Sequence, residues 1–284
     1  MRNPKGLIVT ADDFGLAPEV NEGVELAHTN GILTTASLMV GGAAVGDAVA
    51  RARRLPSLRV GLHLVLVDGP SVLPPERIPD LVDAQARLRS DLAMTGVAIF
   101  LRPRVRRQLA AEIEAQFRAY RATGLPLDHV NAHHHFHLHP TVCAQMLDIG
   151  KRYGLNAVRV PREPLDMLAR IESRARYRRK WLAAPWTALL RRRIRRRGMT
   201  TPDHVFGLAW SGAMTAERNA GILRHLPDGL TEIYFHPATA DSFAGAAHGF
   251  RYRDELAALM APDIKKLVQA TGAQTGGFLD FAAA

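Results

Sequence analysis

Acidic and imidazole side chains gather at three separated places in this 284-residue chain. Asp12 and Asp13 follow a short apolar run at residues 7–10, and His63 stands inside the apolar stretch 59–67. Five histidines, His133, His134, His135, His137 and His139, crowd residues 132–140. Taken singly, each has an ordinary explanation: paired Asp residues cap helices, a strand histidine packs in a core, and a histidine tract is a solvated loop. Their conjunction is more specific. One carboxylate and two imidazoles brought together form a mixed nitrogen–oxygen triad for a divalent ion, with positions left open for water and substrate. Such a donor set suits Zn²⁺, and Mn²⁺, Co²⁺ and Mg²⁺ also accept it.

These groups need elements that bring them to one place. Residues 7–10, 32–40, 59–67, 127–132, 156–160, 205–210, 230–236 and 277–281 read as strands. Helices are expected at 18–29, 43–54, 105–123, 140–153, 215–225 and 254–271, with Pro18 and Pro140 as openers and Gly31, Gly124 and Gly154 as stops. Residues 68–104 are punctuated by proline and read as irregular. Alternation of strand and helix predicts one domain spanning 1–284, built on a parallel α/β sheet or barrel. In such folds the strand ends and the loops after them converge on one face, where sites are built. Asp12–Asp13, His63 and His133–His139 all stand at or near predicted strand ends.

The bulk properties set outer bounds. A hydrophobic share of 47% with 23% charged residues is that of a globular protein. One cysteine, Cys143, excludes an intramolecular disulfide and a cysteine-cluster metal site and fits a reducing compartment. No secretory signal pattern and no run of about 20 apolar residues is visible, so a cytoplasmic location is expected, with peripheral contact to the membrane's inner face. The net charge of +10 is local: residues 170–197 carry twelve Lys or Arg and one acid, Glu172, so the remainder sums to −1. This segment lies within a basic insertion at 162–200. Its arginine runs flank Trp181 and Trp186 and suit an element lying in an anionic headgroup layer. A lid or homo-oligomer contact is the second reading of the segment, and nucleic-acid binding the third.

Three stretches, Leu7-Ile-Val-Thr-Ala-Asp12-Asp13-Phe-Gly15, Gly61-Leu-His63-Leu and Asn131-Ala-His133-His-His135-Phe-His137, resemble in order and separation the motifs of the YdjC-like carbohydrate deacetylase family. Tyr234-Phe-His236-Pro237 resembles that family's late His-Pro motif. Residues 34–40 and 60–67 are most similar to its hopanoid-biosynthesis-associated branch. The resemblance covers about residues 6 to 281 and implies a distorted (β/α) barrel of about seven parallel strands. It also implies metal-dependent removal of an acetyl group from an N-acetylated amino sugar, with an N-acetylglucosaminyl lipid as the expected substrate. Carried over by motif position, Asp13, His63 and His133 would be the metal ligands, Asp12 the general base and His236 the general acid. The family often has Asp where this chain has Asn131, which can still accept a hydrogen bond from a metal histidine but brings no charge.

Of the remaining groups, His135 and His137 are candidates to line the sugar pocket, since in an extended stretch they alternate away from His134. Arg159, at the end of a short strand, is placed with them, its other expected role being to position Asp12. His28, His129, His204, His225 and His248 are assigned to packing or surface. Two competing readings remain on residues alone. A metal-dependent phosphoesterase would use the same ligands, and a membrane- or nucleic-acid-binding protein would merely store metal on its histidines.

Overall fold

A computed structural model describes residues 5–172 and 184–282 of the chain. Its framework is one parallel sheet of β1 (Lys5–Phe14), β2 (Thr35–Leu38), β3 (Arg59–Leu64), β4 (Val130–Ala132), β5 (His204–Phe206), β6 (Gly229–Phe235) and β7 (Gln274–Thr275). The strand order is β4-β3-β2-β1-β6-β5, and β7 pairs with the start of β1. Between the strands run α1 (Pro18–Asn30), α2 (Val45–Arg54), α3 (Leu92–Leu101), α4 (Pro103–Ala122), α5 (Pro140–Lys151), α6 (Leu165–Ile171), α7 (Ala184–Arg196), α8 (Ala216–Arg224), α9 (Tyr252–Met260) and α10 (Pro262–Thr271).

The sheet curls because residues 156–162 span the gap between its outer strands. Val130 N–H donates to the Ala157 carbonyl (3.0 Å), Arg159 N–H to that of Val130 (3.1 Å), and Val205 N–H to that of Arg162 (3.0 Å). The result is the distorted barrel of parallel strands that the motifs imply. Its interior holds a small plug of Ile8, Ala157 and Phe278, all fully buried and separate from the larger core outside the sheet. Beyond this plug the inward faces turn polar. Two-residue periodicity sends Thr10 and Asp12, Thr35 and Ser37, and Glu232 and Tyr234 into the barrel from their respective strands. Gly61 leaves room for this layer, since a Cβ there would lie 2.4 Å from the His129 ring.

Several sequence expectations need correction. Residues 68–104 contain α3 and the first turn of α4; the proline-based reading missed an apolar decapeptide capped by Asp91, whose side chain accepts from Met94 N–H. The helix expected at 254–271 is two, broken where Pro262 opens α10. Residues 277–281 are not a strand: Leu279–Phe281 forms a 3₁₀ turn, and the edge pairing falls to Gln274–Thr275. Residues 156–160 form only isolated bridges, through Ala157 and Val158. Within the basic insertion, α7 buries Leu190 and Ile194, and the Trp186 indole donates to the Leu138 carbonyl (2.8 Å). Trp181 and most of the first arginine run lie outside the described residues.

Candidate active site

Strand periodicity alone would bring Asp12 into the barrel and turn Asp13 out. The chain avoids this with an irregularity: pairing of β1 with β2 shifts register between Ala11 and Phe14, and Asp13 takes φ 64°. A non-glycine residue in that region costs of order 1–3 kcal/mol, a strain that concentrates at functional sites. The kink aims both carboxylates at one cleft, so the pair lies inside the end of β1 and not after it.

Asp13 Oδ1 lies 3.3 Å from His63 Nε2 and 3.4 Å from His133 Nδ1, yet it accepts no hydrogen bond. Asn131 explains this on the His63 side. Its Oδ1 is 2.6 Å from His63 Nδ1, and its amide nitrogen donates to Asp12 Oδ1 (3.0 Å) and Ser37 Oγ (2.9 Å). The amide oxygen must therefore be the acceptor, His63 carries its ring proton on Nδ1, and Nε2 points a lone pair at Asp13. A carboxylate oxygen facing an imidazole lone pair is repulsive unless a cation joins them. Asp13, His63 and His133 together form a compact set of the kind that holds a metal ion.

Asp12 is bound differently. The Arg159 guanidinium grips both its oxygens, Nη1 to Oδ2 at 2.5 Å and Nη2 to Oδ1 at 3.0 Å. The same guanidinium bonds Glu232 Oε1 through Nε (2.9 Å) and Nη2 (2.6 Å), and its carbon sits 4.4 Å from the Tyr234 ring centre. Burial alone would raise the Asp12 carboxyl, but the Arg159 charge and its hydrogen bonds hold it far below the usual carboxylate range. Arg159 is 0% exposed, so its placement among the substrate-binding residues is corrected: its side chain is committed to Asp12 and Glu232.

His236, just after β6, also faces the cleft. Burial would lower its imidazole, but Glu255, Asp13 and Asp12 push it up to about 9. Nδ1 stands 3.8 Å from Glu255 Oε2, too far for a hydrogen bond, so proximity of charge causes the lift. Glu255 is fixed in turn by the backbone N–H groups of His236 (2.5 Å) and Met214 (2.8 Å).

The histidine tract is a 3₁₀ turn, not an extended run, with His134 and His135 both near φ +50°. Its side chains consequently do not alternate as expected. His135 lines the cleft and bonds the Tyr234 hydroxyl (3.0 Å). His137 is 0% exposed, reaches the Arg159 backbone carbonyl (2.8 Å) and does not line the cleft, which corrects its assignment to the sugar pocket. Burial drives both imidazoles toward the neutral form, His137 to about 4.

The cleft has a volume of about 490 Å³, within the ordinary range for a small-molecule site. Asp12, Asp13, His63 and His236 line its floor, and Leu16, Met39, Phe250 and Tyr252 supply apolar wall. Around it, four buried carboxylates (Asp12, Asp13, Glu232 and Glu255) face Arg159 and the His236 imidazolium. Two negative charges remain, the number a divalent ion would neutralise. Sequence reading missed Glu232, Glu255 and Ser37. Glu232 was legible, being two residues before Tyr234 and four before His236 on one face of a strand. Glu255 gave no such signal, because it comes from a helix that only the fold brings to His236.

A carbohydrate deacetylase of Brevibacillus brevis is 29% identical over 267 residues, covering 92% of this chain and 94% of the relative. One of Geobacillus stearothermophilus is 29% identical over 282 residues, covering 98% of each. A crystal structure from Enterococcus faecalis V583, of a protein whose name assigns it to cellobiose-phosphate cleavage, superposes with a TM-score of 0.76 at 23% identity, covering 99% of this chain and 100% of that one, which shows the shared fold. The YdjC-like protein model matches residues 6–270, a span that holds every strand and loop contributing to the cleft, and the chain belongs to that family.

Proposed function

We propose that the protein is a divalent-metal-dependent carbohydrate deacetylase that hydrolyses the N-acetyl group of an amino sugar. The observation that carries this is the pairing of an unsatisfied ligand atom, Asp13 Oδ1 between two imidazole nitrogens, with a separate carboxylate, Asp12, held ionised beside it. The relatives named carbohydrate deacetylases support the substrate class. Asp13, His63 and His133 would hold the ion, for which Zn²⁺ is our choice. When bound, such an ion polarises an acetyl carbonyl and makes a nearby water more acidic.

The chain's own groups handle the protons. Asp12 accepts one from the attacking water as the water oxygen bonds to the acetyl carbon. Arg159 makes Asp12 a weak base but a permanently ionised and well-oriented one, which suffices for a water already acidified. His236 donates its proton to the amide nitrogen as the carbon–nitrogen bond breaks, releasing acetate and the free amine. The same ligand set could activate water against a phosphate ester; what favours the amide is the likeness to relatives named carbohydrate deacetylases.

For the substrate we propose a lipid-linked amino sugar of the N-acetylglucosaminyl hopanoid type, reached when the basic residues 170–197 meet anionic headgroups. Acetate release from chitooligosaccharide and from lipid-linked N-acetylglucosamine, with chelator and metal add-back, tests the reading. Phosphate release from model esters without acetate release would replace it.

A further inference from the structure

Seven large hydrophobic side chains are exposed among the described residues, and five of them belong to α3: Leu92, Met94, Val97, Phe100 and Leu101. Met94, Phe100 and Leu101 are at least 60% exposed. This helix contains no charged residue, and it packs inward through Thr95, Gly96, Ile99 and the partly buried Ala98. A globular surface rarely carries so contiguous an apolar ridge without something to cover it. The sixth exposed hydrophobic, Leu189, is on α7.

The surroundings say what covers it. α3 and α7 flank the same corner: the Phe100 ring lies 6.4 Å from that of His139, and Trp186 of α7 bonds the carbonyl of adjacent Leu138. Beyond the ridge stand Arg102 and Arg107, and α7 exposes Arg192, Arg193 and Arg196. Of the acids nearby, Asp91 caps α3, Asp80 is engaged by Arg104 (2.9 Å), and Asp83 lines the same groove as Met94, Val97 and Leu101 together with Arg89 and Arg102. A second copy docking its own α3 here would press one arginine-rich rim against another. An anionic lipid surface satisfies both parts, taking apolar side chains below the headgroups and guanidinium groups beside the phosphates. No described helix is long and apolar enough to cross a membrane, so the contact is one of shallow insertion.

We infer that α3 is a membrane-inserting element, which places Met94, Val97, Phe100 and Leu101 in the interface of an anionic bilayer. This deepens the proposal that the basic segment meets lipid and rests on it, but it is independent of the chemistry in the cleft. The loop that leads into α3 also supplies Asp68, Gly69, Pro70 and Arg87 to the cleft, so insertion would hold that mouth close to the lipid surface.

Flotation of the whole protein with vesicles of phosphatidylglycerol and phosphatidylcholine, and with phosphatidylcholine alone, tests this. Three proteins are compared: the wild type, a Val97→Ser/Phe100→Ser/Leu101→Ser variant, and an Arg192→Gln/Arg193→Gln/Arg196→Gln variant. The wild type should float with the anionic vesicles. The serine variant should lose about tenfold or more in recovery, because three side chains no longer leave water for hydrocarbon. Its melting temperature and its acetate release from soluble chitooligosaccharide should match the wild type. Equal flotation of wild type and serine variant overturns the inference. So does light scattering that shows a wild-type dimer split by the serine substitutions, since a second copy would then cover α3. Loss of flotation in the arginine variant alone would leave the basic-segment reading standing without α3.

Discussion

Asn131 Oδ1 lies 2.6 Å from His63 Nδ1, at the end of a hydrogen-bonded chain whose polarity is set elsewhere. Asp128 accepts the backbone N–H groups of Phe278 and Leu279 (both 3.1 Å) and a bond from His129 Nδ1 (2.9 Å). His129 Nε2 is then an acceptor and takes the Ser37 hydroxyl proton (2.9 Å). Ser37 Oγ in turn accepts from the Asn131 amide (2.9 Å). Each bond leaves one direction open for the next, so a carboxylate near the apolar plug dictates which nitrogen of His63 faces Asp13.

Breaking this chain at Asn131 should loosen the metal site. Asn131→Leu removes the acceptor for His63 and the donor to Asp12 at once. Metal affinity, measured by competition with a chelating dye, should fall about 10–100-fold, the usual cost of losing an orienting partner. Asn131→Asp keeps the acceptor and should recover most of that affinity. Equal affinity in wild type and Asn131→Leu would remove the positioning role.

Asp12 and Asp13 are neighbours with different tasks, and substitution should separate them. Asp12→Asn should cost about 10²–10⁴-fold in turnover while the ion stays bound, because only proton transfer is lost. His63→Ala or His133→Ala should lose the ion as well. Metal analysis of the three purified variants decides the matter, and equal content throughout would contradict the assignment.

Arg159 presents the electrostatic counterpart. Arg159→Met leaves Asp12 and Glu232 buried without their cation, and breaking such a pair typically costs about 3–5 kcal/mol. Thermal or denaturant unfolding measures this. Arg159→Lys should fold better but loses the two-pronged grip on Asp12, whose pKa then rises toward the ordinary carboxylate range. The sign follows from the role of Asp12 as a base: turnover in Arg159→Lys should acquire a fall on the acid side that the wild type shows only at lower pH.

The strand–helix rhythm was legible because β1, β3 and β6 carry strong apolar runs and α1, α4 and α5 have proline or glycine punctuation. The contents of the barrel were less legible. Asp12 and His63 stood out by type, whereas Ser37 and His129 look ordinary until the curl of the sheet makes them face one another. α3 escaped because its ten residues, eight of them hydrophobic, follow a proline-rich stretch and show no charged face from which to read a helical period. The His133–Leu138 turn was misread as extended because nothing in a run of histidines announces two successive left-handed residues.

The pH dependence of turnover follows from His236. Its imidazole is held up to about 9, above the unperturbed histidine value of about 6.5, so the protonated form persists through neutrality. As the donor to the leaving nitrogen it must be protonated, so turnover should decline on the alkaline side, at a pH below about 9, because a divalent ion held on Asp13 would offset part of the lift. Glu255 supplies a major part of this lift although it is out of hydrogen-bonding range of Nδ1, so Glu255→Gln should move the decline downward, toward the ordinary histidine range. Removing the imidazole with His236→Gln should lower turnover and abolish that limb of the profile, leaving metal content unchanged. The same shift makes His236 stabilising below its unfolded pKa, and this contribution disappears as pH rises through about 9. Unfolding experiments on the wild type without substrate can follow the folded-state titration apart from turnover. A wild-type profile flat past pH 10, or one unmoved by Glu255→Gln, would assign the proton donor to another group.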